Sequence, residues 1–234
     1  MYRYLFFDAD GTLFDFEQAE HNAFWKMAES LNLPLERKHE QDYIRCNAEV
    51  WKQFEKGEVT IEELKVKRFA NFAWEIGIPL NPEEASQSYQ QQLSRQGILF
   101  DETITVLETL KKRGYTLFLA TNGIAEVQRG RIAVSDTEQY FDHIFISEEI
   151  GYQKPDPRFF AHMFEVTGLS EQKQHTLMIG DSLSSDIAGG IAGGMDTLWL
   201  NKTGKPVNPQ VQPTHIHNNL YSVLEFLNGP LCLT

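Results

Sequence analysis

Two aspartates, Asp8 and Asp10, directly follow an apolar run near the start of the sequence, MYRYLFF. The run predicts a strand, and residues two apart in an extended chain point to the same side. We therefore expect the two carboxylates to share one small space, in which they lose hydration. Two like charges held together require a cation or a proton between them. The opening residues thus predict a site that binds one or the other.

Polar side chains also follow three later apolar runs, TLFLA, HIFIS and TLMIG. Thr121 and Asn122 come after the first run, Lys154 lies shortly after the second, and Asp181 comes directly after the third. In an open parallel sheet, ligands bind beyond the carboxyl ends of the strands. We therefore expect these residues to meet the two aspartates of the first run at one edge of a sheet.

This combination of side chains suits phosphoryl transfer. Each carboxylate facing a phosphate dianion would repel it by about 4 kcal/mol at roughly 4 Å, for an effective dielectric constant of about 20. We therefore expect Mg²⁺, which prefers oxygen ligands. One aspartate would attack phosphorus, while the other would protonate the leaving alkoxide and then activate water. Thr121 would hold a phosphate oxygen, and Lys154 would neutralise charge on the transferred group.

Residues 17–96 carry the patterns of four successive helices and no clear alternating segment. Apolar residues recur at steps of three and four from Ala19 to Leu31. The residues TIEE at 60–63 predict a capping box for a helix that ends around Gly77, and Pro82 suits the first turn of another helix. The aromatic side chains expected to form mostly the core of this bundle are Phe24, Trp25, Trp51, Phe54, Phe69, Phe72 and Trp74.

From residue 101 onward, predicted strands and helices alternate with short links, which is typical of a parallel sheet covered on both faces. Because MYRYLFF is itself such a strand, the helical region is inserted between the first strand and the rest of the sheet. We predict an α/β fold in two parts. Residues 1–14 and 97–234 would form a Rossmann-like, doubly wound parallel sheet, and residues 15–96 an inserted α-helical bundle.

Four short motifs resemble, in order and spacing, those of the haloacid dehalogenase-like (HAD) phosphohydrolases. They are DADGT at 8–12, TN at 121–122, KP at 154–155 and GDSLSSD at 180–186. The resemblance extends over the whole chain, and it implies that the sheet is the catalytic core and the inserted bundle its cap.

The same resemblance implies a role for each motif residue. Asp8 would be the nucleophile, and Asp10 the general acid and base, whose backbone carbonyl also ligates Mg²⁺. Asp8 and Asp181 would supply the other protein ligands to the metal. Asp186 would support the site by orienting the lysine or a metal-bound water. The residues expected to bind the phosphate of the substrate are Thr121, Asn122 and Lys154.

Three kinds of function fit these residues. The first is a Mg²⁺-dependent phosphomonoesterase, with a phosphomutase as a variant that keeps the same core. The second is a haloacid dehalogenase, which shares the fold and the nucleophile but has no aspartate at the position of Asp10, so this residue argues against it. The third is a non-catalytic phosphate-binding or scaffold protein, which would not need all four motifs.

The expected substrate depends on a finer resemblance. The stretches DADGTLFDF and IGYQKPDPRFF are similar to the bacterial pyrimidine 5′-nucleotidase branch of the family. This implies nucleoside 5′-monophosphates as substrates, with phosphoglycolate or sugar phosphates as the alternative. Phe16 lies where the chain leaves the core, and it would either stack on the base of the substrate or pack at the hinge.

The 234-residue chain has a formal net charge of −12, from 33 acidic residues against 21 lysines and arginines. This charge argues against a nucleic-acid polymer or an anionic membrane as partner. It allows a small phosphorylated metabolite, because a bound metal reverses the local field. Cys46 and Cys232 are too few for a disulfide framework or a zinc site. With no signal segment or membrane-length apolar run in view, we expect a cytoplasmic protein, and the oligomeric state stays open.

Overall fold

The structure is a computed structural model that describes residues 1–227. The chain forms two compact units. The sheet unit contains Met1–Phe16, Ile98–Ala125 and the described residues from Ser135 onward, and the helical unit contains Glu17–Gly97 and Glu126–Val134. The roles of catalytic core for residues 1–14 with 97–234 and of cap for residues 15–96 stay a prediction.

Six parallel strands form one sheet in the described part of the sheet unit. They are β1 (Tyr4–Phe7), β2 (Thr116–Thr121), β3 (His143–Ile146), β4 (Thr176–Gly180), β5 (Asp196–Leu200) and β6 (His215–His217). Their order is β3-β2-β1-β4-β5-β6, and each neighbouring pair is parallel. Successive strands lead away from β1 in both directions, so the predicted doubly wound α/β fold is confirmed.

The α-helices of residues 1–227 are α1 (Phe16–Ser30), α2 (Arg37–Glu55), α3 (Ile61–Ile76), α4 (Pro82–Ser94), α5 (Thr103–Lys112), α6 (Ala125–Ser135), α7 (Ser147–Ile150), α8 (Pro157–Thr167), α9 (Ala188–Gly193) and α10 (Tyr221–Phe226). A π-helical turn, Leu183–Ile187, directly precedes α9. The prediction of four successive helices after the first strand is confirmed, since α1 to α4 follow β1. Together with most of α6 they make up the helical unit.

Local signals determine the helix ends in the helical unit. The side chain of Thr60 accepts a hydrogen bond from the N–H of Glu63, and the side chain of Glu63 accepts one from the N–H of Thr60. This capping box begins α3, which ends at Gly77 in the left-handed conformation (φ 66°). Pro82 is the first residue of α4, where its missing N–H costs nothing. All three signals were predicted from the sequence.

The core of the helical unit is aromatic. Phe24, Tyr43, Phe69 and Phe72 are fully buried, and the Tyr43 ring stacks on those of Phe24 and Phe69 at 5.1 Å between centroids. The prediction for Trp74 is wrong, because its side chain is 87% exposed. It follows Phe72 by two residues on α3, and such a step turns a helical side chain to the opposite face.

The register of the sheet brings the ends of three strands level. Phe7 of β1 lies beside Leu119 of β2 and Ile179 of β4, and each strand ends within two residues of that level. The polar residues that follow these strands therefore start at one edge of the sheet.

No helix within residues 1–227 is long and apolar enough to cross a membrane. Cys46 is buried and is not part of a disulfide. Cys232 lies outside the described residues.

Candidate active site

Lys154 is the centre of a buried charge cluster at this edge of the sheet. Its Nζ donates hydrogen bonds to Oδ1 of Asp8 (2.7 Å), to Oδ1 of Asp186 (2.7 Å) and to the backbone oxygen of Ala120 (2.6 Å). These bonds use all three N–H donors of the ammonium group. Burial by itself lowers the pKa of Lys154, but the two carboxylates outweigh that effect and raise the pKa above its ordinary value. The lysine is therefore held as a cation.

Asn122 holds the backbone of Lys154. Its Oδ1 accepts from the N–H of Lys154, and its Nδ2 donates to the carbonyl oxygen of Lys154, both at 2.7 Å. The side chain of Asn122 thus connects the end of β2 to the loop between α7 and α8, although the two residues are 32 positions apart in the chain. The structure gives Asn122 a positioning role, and its predicted contact with phosphate stays a prediction.

Asp186 is completely buried in the π-helical turn that follows β4. Besides its bond to Lys154, its Oδ2 accepts a hydrogen bond of 3.0 Å from the N–H of Ser182. Gly180, the last residue of β4, leaves room for this carboxylate, because a Cβ at Gly180 would collide with it. Of the two roles predicted for Asp186, the geometry favours orientation of the lysine.

Three carboxylates meet beside this lysine. Oxygens of Asp8, Asp181 and Asp186 lie within 4.8 Å of one another. Burial raises the pKa of Asp8 well above its ordinary value, and the charges of Asp186 and Asp181 raise it further against the opposing effect of Lys154. Burial and the charge of Asp186 raise the pKa of Asp181 to about 7. A single lysine does not neutralise three carboxylates, so a further cation or a proton would stabilise the cluster.

This donor set fits Mg²⁺, since it offers oxygens and excess negative charge. Asp8 and Asp181 would hold the ion with their carboxylates. The loop after β1 passes close to Asp181, because a Cβ at Gly11 (φ 81°) would lie only 2.6 Å from Oδ2 of that residue. Asp10 is the half-buried neighbour of Gly11 on this loop, where its backbone carbonyl would complete the predicted ligands.

The structure also gives the positions of two further predicted residues, Thr121 and Phe16. Thr121 ends β2 and is buried, and its hydroxyl accepts the N–H of Gly123 at 3.2 Å. Phe16 is half-buried and is the first residue of α1. It is also the residue at which the chain leaves the sheet unit. The phosphate contact of Thr121 and the substrate contact of Phe16 stay predictions.

Three residues near Asp181 were not among the predicted site residues. Nε1 of Trp199, on β5, donates a hydrogen bond of 2.8 Å to the carbonyl oxygen of Asp181. Oγ1 of Thr12 lies 3.5 Å from Oδ1 of Asp181, and Nζ of Lys202 lies 3.3 Å from the carbonyl oxygen of Thr12. Lys202 lies two residues after the end of β5, so its position after a strand is the signal in the sequence that could have identified it.

Comparison with known proteins gives the same family. The model of the haloacid dehalogenase-like hydrolases matches residues 2–194. The chain is 36% identical to the pyrimidine 5′-nucleotidase PynA of Streptococcus pneumoniae, over 97% of this chain and 94% of that protein. It is 27% identical to the pyrimidine 5′-nucleotidase YjjG of Escherichia coli, over 96% and 97% of the two chains.

A solved structure shows the same similarity in three dimensions. The HAD-hydrolase YfnB from Bacillus subtilis, in a crystal structure bound to magnesium, is 34% identical and superposes with a TM-score of 0.90, covering 97% of this chain and 99% of that one. The matched family model spans the four motifs whose residues meet around Lys154. The chain therefore belongs to the haloacid dehalogenase-like hydrolases.

Proposed function

We propose that this hydrolase is a Mg²⁺-dependent phosphomonoesterase that acts on nucleoside 5′-monophosphates through an aspartyl-phosphate intermediate. The observation that carries the proposal is the cluster in which Lys154 bridges Asp8 and Asp186 while Asp181 lies within 4.8 Å of both carboxylates. Such a cluster has a nucleophile, a fixed cation and excess negative charge that a second cation would balance. Phosphoryl transfer from an anionic phosphate ester to a carboxylate needs a nucleophile and this neutralisation of charge.

In the first step, a carboxylate oxygen of Asp8 attacks phosphorus, and the bond from phosphorus to the ester oxygen breaks. Asp10 gives its proton to the departing alkoxide. In the second step, Asp10 takes a proton from water, whose oxygen attacks the phosphorus and releases the Asp8 carboxylate together with inorganic phosphate. When bound, Mg²⁺ would supply charge neutralisation for the phosphate oxygens.

The remaining residues hold this arrangement. Lys154 offers its fixed positive charge to the negative charge that develops on the transferred group, and the hydroxyl of Thr121 donates to a phosphate oxygen. Asp186 and Asn122 fix the side chain and the backbone of Lys154, respectively. The choice of nucleotide substrates is supported by the names of PynA and YjjG, which are both pyrimidine 5′-nucleotidases.

A substrate panel with the purified full chain tests the proposal. Phosphate release would be measured from pyrimidine and purine 5′-monophosphates, phosphoglycolate, hexose phosphates and p-nitrophenyl phosphate. We expect kcat/KM to be highest for a pyrimidine 5′-monophosphate, by about tenfold or more over the sugar phosphates, which corresponds to roughly 1.4 kcal/mol. A sugar phosphate or phosphoglycolate as the best substrate would overturn the substrate assignment.

The same assay tests the metal. EDTA should abolish hydrolysis and Mg²⁺ should restore it, whereas Ca²⁺ should support it poorly because its larger and looser ligand shell misplaces the phosphate. Full activity in EDTA would overturn the mechanism. Release of halide from 2-chloropropionate in EDTA would then support the dehalogenase alternative.

A further inference from the structure

Lys202 is a second lysine at the catalytic edge of the sheet unit, and no step of the proposed mechanism uses it. It is half-buried and lies two residues after the end of β5. Its Nζ donates to the carbonyl oxygen of Thr12 at 3.3 Å and lies 3.2 Å from the centroid of the Phe100 ring. A partly desolvated ammonium above an aromatic face gains a cation–π attraction in addition to its hydrogen bond.

The two partners of Lys202 belong to the segment by which the chain leaves the sheet unit and to the segment by which it returns. Backbone hydrogen bonds join these segments to each other: Asp15 N–H to Ile98 O (3.0 Å) and Phe100 N–H to Leu13 O (3.1 Å), next to an antiparallel bridge between Phe14 and Leu99. Lys202 is therefore attached to both members of one paired element.

Thr12 connects this element to the predicted cation site. It is fully buried, it follows Asp10 by two residues, and its hydroxyl approaches Oδ1 of Asp181 at 3.5 Å. Between Asp10 and Thr12, Gly11 lies against Asp181 with no room for a Cβ. A shift of Thr12 would thus move both the Asp10 carbonyl and the surroundings of Asp181.

The positive charge of Lys202 and its contact with Thr12 would have opposite effects on the affinity of the site for Mg²⁺. Asp181 is among the carboxylates whose field acts on this ammonium, together with Glu102 and Asp15. Loss of the positive charge alone would make the acidic cluster more attractive to a divalent cation. Loss of the contact with Thr12 would instead release the loop and weaken a geometry that Mg²⁺ demands strictly. The sign of the change in Mg²⁺ affinity therefore separates the two effects.

We propose that Lys202 is a positioning residue of the cation site. Its hydrogen bond to Thr12 holds the Asp10 loop in place, and its contact with the Phe100 ring holds the lysine itself. This inference rests on the proposed Mg²⁺-dependent function. Residues that orient metal ligands typically contribute about 10- to 100-fold in metal affinity or activity.

The test uses the full chain with Lys202→Met, which keeps an unbranched stem without the charge, and Lys202→Arg, which keeps the charge and the cation–π contact. Lys205→Met is the matched control, because Lys205 lies in the same loop with an exposed side chain. Mg²⁺ binding would be measured by calorimetry without substrate, and kcat and KM with p-nitrophenyl phosphate at saturating Mg²⁺. We expect Lys202→Met to bind Mg²⁺ on the order of tenfold more weakly and to lose kcat by a similar factor, with KM changed less than about threefold.

Lys202→Arg should retain both properties within about threefold, and Lys205→Met should match the wild-type chain. Tighter Mg²⁺ binding by Lys202→Met would show that the lysine acts only through its charge. Unchanged binding with a lower thermal midpoint would show a purely structural role, and a raised KM alone would show a substrate ligand. Each of these results overturns the proposal.

A second variant covers the case in which Lys202→Met fails to fold. Phe100→Leu removes the aromatic ring beneath Lys202 but leaves the lysine. It should also weaken Mg²⁺ binding, by a smaller factor than Lys202→Met. Binding of Mg²⁺ by Phe100→Leu that is no weaker than binding by the wild-type chain would overturn the proposal. A wild-type chain that neither binds Mg²⁺ nor hydrolyses esters would refute the proposed function instead.

Discussion

Lys154 and Asp186 form a buried ion pair, with 2.7 Å between Nζ and Oδ1 and both side chains 1% exposed. Burial of such a pair has a large desolvation cost, which only close contact and further hydrogen bonds can offset. The same ammonium contacts Asp8, the predicted nucleophile, at the same distance. Asp186 and Asp8 therefore compete for the positive charge of one lysine.

Asp186→Asn should lower kcat for p-nitrophenyl phosphate by about 10-fold or more. The amide keeps the shape and a hydrogen-bond acceptor but removes the charge. The ammonium of Lys154 would then pair more closely with Asp8 and lower the reactivity of its carboxylate as a nucleophile. Asp156→Asn is the control, because Asp156 lies two residues from Lys154 and its carboxylate binds Arg158 instead. Equal activity of the two variants would show that Asp186 does not act through the lysine.

Asp8→Asn should lose turnover by about 10³-fold or more while the fold persists, since it removes the attacking group and weakens a predicted metal ligand together. Turnover of a nucleoside monophosphate and circular dichroism would be measured side by side. The wild-type chain, quenched with acid during turnover of labelled substrate, should carry a phosphoryl group that hydroxylamine releases, and the variant should carry none. Asp101→Asn, which changes an exposed carboxylate, is the control. A near-normal rate for Asp8→Asn would place the covalent step elsewhere.

Phe16→Ala should raise KM for a nucleoside 5′-monophosphate if its ring stacks on the base, by the equivalent of about 1–3 kcal/mol. It should leave KM for p-nitrophenyl phosphate almost unchanged. Trp74→Ala serves as an aromatic control, because that side chain is largely exposed in the helical unit. Equal losses on both substrates would mean that Phe16 holds the start of α1 rather than the base.

Glu20→Gln should flatten the pH dependence of stability. Burial raises the pKa of Glu20 from 4.5 to about 7, although the hydrogen bond from Asn47 and the charge of Arg68 oppose this, and Glu40 and Glu17 add to it. The folded chain thus keeps the proton that the unfolded chain loses. The free energy of unfolding is highest below pH 4.5 on this account and falls as the pH rises to about 7, by up to roughly 3 kcal/mol.

Urea unfolding of the metal-free chain between pH 4.5 and 8 would measure this effect as the difference between wild type and variant. The amide of glutamine stays neutral, so the free energy of unfolding of Glu20→Gln should increase relative to that of the wild-type chain as the pH rises. Glu29→Gln, at an exposed position of the same helix, should follow the wild-type chain at each pH. Parallel pH curves for wild type and Glu20→Gln would contradict the prediction.

Much of the fold was predictable because the signals involved are local. The capping box of Thr60 and Glu63, the proline that begins α4 and the glycine that ends α3 act over a few residues, and the structure has each of them. The position of the site needed one further rule, that ligands bind beyond the carboxyl ends of parallel strands, where polar residues from several strands meet. That rule placed Asp8 and Lys154 in one site although they are 146 residues apart.

The sequence by itself predicted that Asp8, Lys154 and Asp181 meet at one edge of the sheet, and only the tertiary structure decided which hydrogen bonds the site residues form there. The three donors of Lys154 go to Asp8, Asp186 and a backbone oxygen, and Asn122 is occupied by the backbone of Lys154. Lys202 joins the site only through contacts with residues 190 and 102 positions away in the chain. Such pairings depend on strand register, close packing and side-chain rotamers, which are set by the whole folded unit and leave no periodic signal in the sequence.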